Sequence, residues 1–210
     1  MHFETEEQQV EAIKKWWAEN GKSIIAGVVL GLAILFGWRG WVDWQERQAE
    51  AASEQFAEAR KAFDSAQPAV VHDKAALLRK EYARTPYAPL ATLLEARIDA
   101  RDGKLEQAAE ALIWVRDHAR EPILQEVARL RLARVRVAQQ QPDAALAELE
   151  PLADNGAWTS LVAEIRGDAL RARGDLAGAR QAYDRALLSA GGRAPRYLKM
   201  KRADLGDPEG

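Results

Sequence analysis

Between Lys22 and Arg39 the chain runs sixteen residues, Ser23 to Trp38, without a charged side chain. That stretch constrains the fold more than any other feature, because an apolar segment of this length must be covered by protein or by lipid. Five of the seven tryptophans, Trp16, Trp17, Trp38, Trp41 and Trp44, crowd its two ends. Indole rings collect where apolar and wet surroundings meet, so both facts predict one transmembrane helix over 23–42. Sixteen helical residues rise about 24 Å, short of the roughly 30 Å hydrocarbon core. Lys22 and Arg39 supply the remainder by laying their aliphatic stems in the acyl region while the charged heads reach the headgroups.

Two other readings compete with a span. A secretory signal would have an apolar stretch of this length, and Ala49-Glu-Ala51 has the form of a cleavage site. That site lies well past the run, however, and the preceding segment carries Glu4, Glu6, Glu7, Glu11 and Glu19 where a signal would be short and basic. A buried core helix would need apolar partners on all faces, and the rest of the chain is rich in alanine and charge. Lys14, Lys15 and Lys22 before the span outnumber Arg39 and Arg47 after it, a slight bias toward a cytoplasmic N-terminus. The absence of cysteine fits either side of a membrane.

Residues 1–22 predict a short amphipathic helix opened by the capping box Thr5-Glu-Glu-Gln8 and ended near Asn20-Gly21. Within the span, Gly27 and Gly31, and then Ala33 and Gly37, put small residues four apart, where a second helix could approach. Thirty basic against thirty-two acidic side chains exclude a nucleic-acid binder that relies on phosphate attraction.

After the span one set of offsets recurs. Small residues at Ala96, Ala133 and Gly167 are followed twelve positions later by Ala108, Ala145 and Ala179. Four further on stand Leu112, Leu149 and Tyr183, and three beyond those Val115, Leu152 and Ala186. Steps of 37 and 34 residues are those of tetratricopeptide repeats, helical hairpins in which small residues allow close approach and a bulky one fills the gap. Asp102-Gly-Lys104 and Arg173-Gly-Asp175 supply glycine where a helix stops, and Gln141-Pro-Asp143 supplies proline where the next begins. The expected fold is all-α: a single N-terminal transmembrane helix followed by a tetratricopeptide-repeat-like solenoid. The divisions are 23–42 for the span, 43–85 for a linker helix and degenerate repeat, 86–190 for three repeats and 191–210 for a C-terminal tail that is either a basic helix or disordered. In the degenerate unit, Ala52, Phe56, Ala59 and Phe63 have second-helix spacing, and Ala75, Leu78 and Tyr82 suggest a helix after it.

Stacked hairpins present a groove for protein partners rather than a reaction pocket. Candidate groove residues are Trp158, Arg129 and Arg136; Arg129, Arg131, Arg134 and Arg136 crowd one predicted helix, either as a solvated face paired with acids or as a site for an acidic partner. Trp114 and Trp158 are better suited to core packing than to a groove wall. One repeat subtype clamps a C-terminal carboxylate with asparagine and lysine, but only Asn20 and Asn155 occur here, so no such clamp is expected. His2, His72 and His118 are scattered and lack a second ligand at helical spacing, which points to no metal and no cofactor. No cysteine nucleophile, Gly-x-Ser-x-Gly elbow or glycine-rich phosphate loop is present, so the chain reads as a non-enzyme.

The run Gln9-Val-Glu-Ala-Ile-Lys-Lys-Trp-Trp-Ala-Glu-Asn-Gly-Lys22, with Leu130-Arg-Leu-Ala-Arg-Val135 and Glu164-Ile-Arg-Gly-Asp-Ala-Leu170, resembles the YfgM-type ancillary SecYEG translocon subunits of Gram-negative bacteria. The resemblance implies a single-pass inner-membrane protein, N-terminus cytoplasmic and repeats periplasmic. It also implies association with the SecYEG channel and with a membrane-anchored periplasmic prolyl isomerase, and assistance in passing exported chains, its protein clients, to periplasmic chaperones. A tethered scaffold for another envelope complex is the rival expectation.

Overall fold

The computed structural model describes residues 6–152, 156–191 and 194–206. Thr5 of the expected capping box, His2, Asn155 and Arg193 lie outside the described residues. Among those described no strand occurs. The chain divides into two units, residues 1–50 and 51–210.

The first unit is helical from Glu6, within α1 (Glu6–Asp64). The predicted stop at Asn20-Gly21 does not occur. The Asn20 side-chain amide donates 3.0 Å to the Trp16 carbonyl, and the Trp17 ring lies over Gly21, where an added Cβ would meet it at 3.2 Å. A helical glycine costs only about 1 kcal/mol, which an otherwise helix-favouring segment outweighs. From Ile25 to Phe36 the large side chains Val28, Val29, Leu30, Leu32, Ile34 and Leu35 all stand half or more exposed. This helix is long and apolar enough to cross a membrane. It is not the buried core helix of a globular fold.

The second unit is built of hairpins. The end of α1 pairs with α2 (Pro68–Glu81), α3 (Tyr87–Arg101) with α4 (Leu105–His118), α5 (Pro122–Ala138) with α6 (Pro142–Leu149), and α7 (Thr159–Arg173) with α8 (Leu176–Ala190). A 3-10 turn, Glu150–Leu152, extends α6. Each hairpin turns through one residue in the left-handed region, Ala66 (φ 53°), Gly103 (77°), Gln140 (60°) and Gly174 (88°). In each, the next amide reaches back five residues: Gln67 to Ala62, Lys104 to Asp99, Gln141 to Arg136 and Asp175 to Leu170, at 2.8–2.9 Å. These are four copies of one Schellman cap, set at the repeat spacing.

That register corrects the expectation for the first hairpin. Counted back 37 residues, the small position of Ala96 falls on Ala59, which is fully buried. Residues 52–63 therefore form a first helix, with α2 as its second; alanine spacing alone does not separate the two. Ala96, Ala108, Leu112, Ala133, Ala145, Leu149, Ala179 and Tyr183 are all at most 2 % exposed. Gly167 on α7 meets the Tyr183 ring of α8 so closely that a Cβ there would lie 2.5 Å from it.

The tail folds as well. The last helix, α9 (Arg196–Ala203), buries Leu198 against Ala163, Ala179, Tyr183 and Ala186. Lys201 binds Glu164 (2.9 Å) and Asp168 (2.7 Å), and Arg202 binds Asp184 (2.7 Å). Lys201 and Arg202 thus tie α9 to the α7–α8 hairpin.

Candidate functional site: the inner face of the repeats

Consecutive first helices touch one another, α3 with α5 and α5 with α7, whereas α4, α6 and α8 make no comparable contacts among themselves. The array therefore curves with its first helices on the inner face, where side chains from neighbouring repeats converge.

Four arginines of α5 lie in one sequence run, but the helix splits them. At about 100° per residue, Arg129 and Arg136 fall within about 20° of each other, while Arg131 and Arg134 lie on another side. Arg129 donates 3.0 Å to Glu148, which also accepts from Arg116 at 2.5 Å, a staple joining α4, α5 and α6. Arg136 donates to Gln139 (3.1 Å) and Gln141 (2.8 Å). The Trp158 indole N–H donates 2.7 Å to Glu126, and its ring packs against the core around Leu149 and Ile165. Trp114 stacks on His118 with ring centroids 4.8 Å apart and packs against the neighbouring core. The polar groups of all three candidate groove residues are thus engaged inside the chain.

Sequence reasoning missed Arg97 and named Arg131 and Arg134 only as members of the arginine run, not as candidates apart from Arg129 and Arg136. Arg97, Arg131 and Arg134 rim a cleft of about 290 Å³ between α3 and α5, whose apolar lining includes Ala100, Leu112 and Val135. Arg97 lies over the Phe63 ring at 5.3 Å. Arg131 reaches the Leu93 carbonyl at 3.4 Å. Arg134 is 3.9 Å from Glu164, a carboxylate already holding Tyr197 and Lys201. Burial in the cleft, then the charges of Arg97 and Arg134, push the Arg131 guanidinium below its ordinary range. The usable sequence signal was the helical wheel of α5 together with Arg97, directly after the small position Ala96.

A second polar cluster joins α2 to α3. His72 Nδ1 lies 3.1 Å from Glu95 and Nε2 3.3 Å from the buried Asp99, while Arg79 binds the other side of Glu95. Desolvation pushes the Asp99 carboxyl above the usual carboxylate range despite the nearby His72. One ligand atom from each of His72, Glu95 and Asp99 falls within 4.8 Å of the others, a spacing that tertiary packing creates and that no sequence motif announces. The Arg79 guanidinium already supplies Glu95 with a positive charge, which makes the cluster an interhelical tie.

In the first unit Trp16, Trp17, Trp38, Trp41 and Trp44 are all about half exposed or more, and Lys22 and Arg39 are exposed. Gly27, Gly31 and Gly37 have nothing within 4 Å of an added Cβ, and Ala33 is exposed, so that small-residue face is open.

With this geometry in view, the relatives are informative. The tetratricopeptide repeat-like domain family matches residues 14–207. An ancillary SecYEG translocon subunit of Escherichia coli is 38 % identical over 184 residues, 87 % of each chain. The chain belongs to this family. Within the ancillary SecYEG translocon subunits, the Aggregatibacter actinomycetemcomitans protein is 31 % identical over 200 residues and the Haemophilus influenzae protein 30 % over 206, each covering 95 % of this chain and 97 % of its own length. Coverage this broad takes in the apolar helix as well as the repeats. No solved structure matches the chain.

Proposed function

We propose that this protein is a non-enzymatic adaptor anchored in the inner membrane beside the Sec translocon. Its N-terminus is cytoplasmic, its repeat domain is periplasmic, and its inner face receives exported chains on their way to periplasmic chaperones. The reading rests on one observation above the others: the likeness to ancillary SecYEG translocon subunits runs through nearly the whole chain, exposed apolar helix included. Lipid is the physically sensible cover for that helix, with the tryptophans at the two interfaces and Lys22 and Arg39 marking its limits. A tether raises the effective concentration of groove and client to the millimolar range, so contacts weak enough to permit handover suffice. A membrane-anchored periplasmic prolyl isomerase is the expected neighbour in the assembly.

The test is purification of the full chain from a Gram-negative host in mild detergent, with protease treatment of spheroplasts in parallel. Channel subunits in the eluate and repeats digested from outside are expected. An eluate that holds another envelope complex instead of the channel would favour a scaffold, and repeats protected in spheroplasts would reverse the orientation.

A further inference from the structure

We infer that Arg97, Arg131 and Arg134 form a carboxylate-binding site for acidic segments of a protein partner, with an aspartate or glutamate on the arginines and an adjacent apolar side chain in the cleft. The inference rests on the inner face being the partner-binding surface and names what that face selects.

The argument is one of charge left over. Many basic groups of the repeat domain are matched with carboxylates: Arg116 and Arg129 with Glu148, Arg173 with Asp143 and Asp175, Lys201 with Glu164 and Asp168, Arg202 with Asp184, Arg79 with Glu95. In a chain with two more acids than bases, such matching is readily available. Yet among the described residues no carboxylate pairs with Arg97 or Arg131, and that of Arg134 is distant and shared. Three guanidinium groups gathered around one cleft repel one another, and burial first, then the charges of Arg97 and Arg134, holds the Arg131 guanidinium below its ordinary range. Such an arrangement costs stability and is relieved by an anion that all three can reach. Guanidinium pairs with carboxylate through two parallel hydrogen bonds, and the cleft of about 290 Å³ with Ala100, Leu112 and Val135 in its lining accepts an aliphatic side chain beside it. Carboxylate side chains alternating with apolar residues in an extended segment meet both requirements; a lone inorganic anion meets only the first.

The experiment uses the full chain in neutral detergent micelles and a fluorescein-labelled, C-terminally amidated peptide of alternating glutamate, alanine and leucine, read by fluorescence anisotropy. The glutamine version of the peptide is expected to bind about tenfold or more weakly, the consequence of losing charge-assisted hydrogen bonds. Arg131→Gln should reduce glutamate-peptide binding by a similar factor, and Arg129→Gln, on another side of α5, should leave it unchanged. Arg131→Gln should also melt no lower than the parent, since one of three repelling charges is gone; a merely structural arginine would lower it. Equal affinity for both peptides, equal losses in the two variants, binding only of a peptide with a free C-terminal carboxylate, or capture of phosphatidylglycerol vesicles in place of the peptide would each overturn the proposal. Recovery of channel subunits by the parent chain is scored separately. Channel recovered without peptide discrimination defeats this inference alone, and discrimination without channel defeats the adaptor reading.

Discussion

Replacing Gly167 with alanine adds one methyl group to a contact that has no room for it. The new Cβ would lie 2.5 and 2.6 Å from two ring carbons of Tyr183 and 3.0 Å from a third, against an ordinary carbon–carbon contact of about 3.5–4.0 Å. Relief requires α7 and α8 to separate by about 1 Å or Tyr183 to turn. Turning is opposed because the ring is fully buried and its hydroxyl donates 2.7 Å to Asp168. Helix propensity favours alanine by about 0.8–1 kcal/mol, overpacking costs about 1–3 kcal/mol, and a weakened bond to a carboxylate adds up to about 1.5–3 kcal/mol. The net expectation is destabilisation by about 1–3 kcal/mol, or about 2–4 °C of melting temperature for each kcal/mol. The measurement is thermal melting of the full chain in mild detergent, with hydrogen exchange of the α7 and α8 amides to localise the loss. In a Tyr183→Leu background the clash is gone, and the same Gly167→Ala change should become neutral or stabilising. A stabilising Gly167→Ala in the parent would refute the argument, because it would mean that the two helices do not approach as closely as described.

The hairpin caps make a second prediction: Gln140→Gly should stabilise by roughly 0.5–1 kcal/mol by relieving a left-handed glutamine, while Gly103→Ala should destabilise by about 1 kcal/mol, both read from urea midpoints. A third concerns alkaline pH. Burial first, then its bond to Asp168, raises the Tyr183 phenol above its usual value of 10.0, and Lys201 is raised because its bonds to Asp168 and Glu164 outweigh the burial that opposes its charge. Groups whose pKa is higher folded than unfolded contribute stability that is intact below about pH 10 and lost above it. Melting temperature should therefore hold to about pH 10 and then fall, and Tyr183→Phe should shrink that fall; an unchanged alkaline slope in the variant would remove Tyr183 as a source.

Periodicity in the sequence determined the architecture, because packing two helices closely demands small residues at fixed intervals and an uncharged run of sixteen must find an apolar cover. Gly103, Gly174 and Pro142 marked three turns for the same local reason. The first hairpin was misframed because Ala66 stands where glycine was the expected signal, and only the backbone hydrogen bond from Gln67 to Ala62 reveals the shared cap. Neighbours in sequence also hid the cleft: four arginines of α5 read as one row until the helix sent Arg129 to Glu148 on the neighbouring α6 and Arg131 and Arg134 toward α3, where Arg97 joins them. Likewise His72, Glu95 and Asp99 share no local pattern, since α2 and α3 bring them together by packing. Local chemistry thus decided which segments are helical and which are greasy, while the choice of which charges are paired and which are left facing the groove belongs to the tertiary structure, because pairing depends on distances between helices that no single segment encodes.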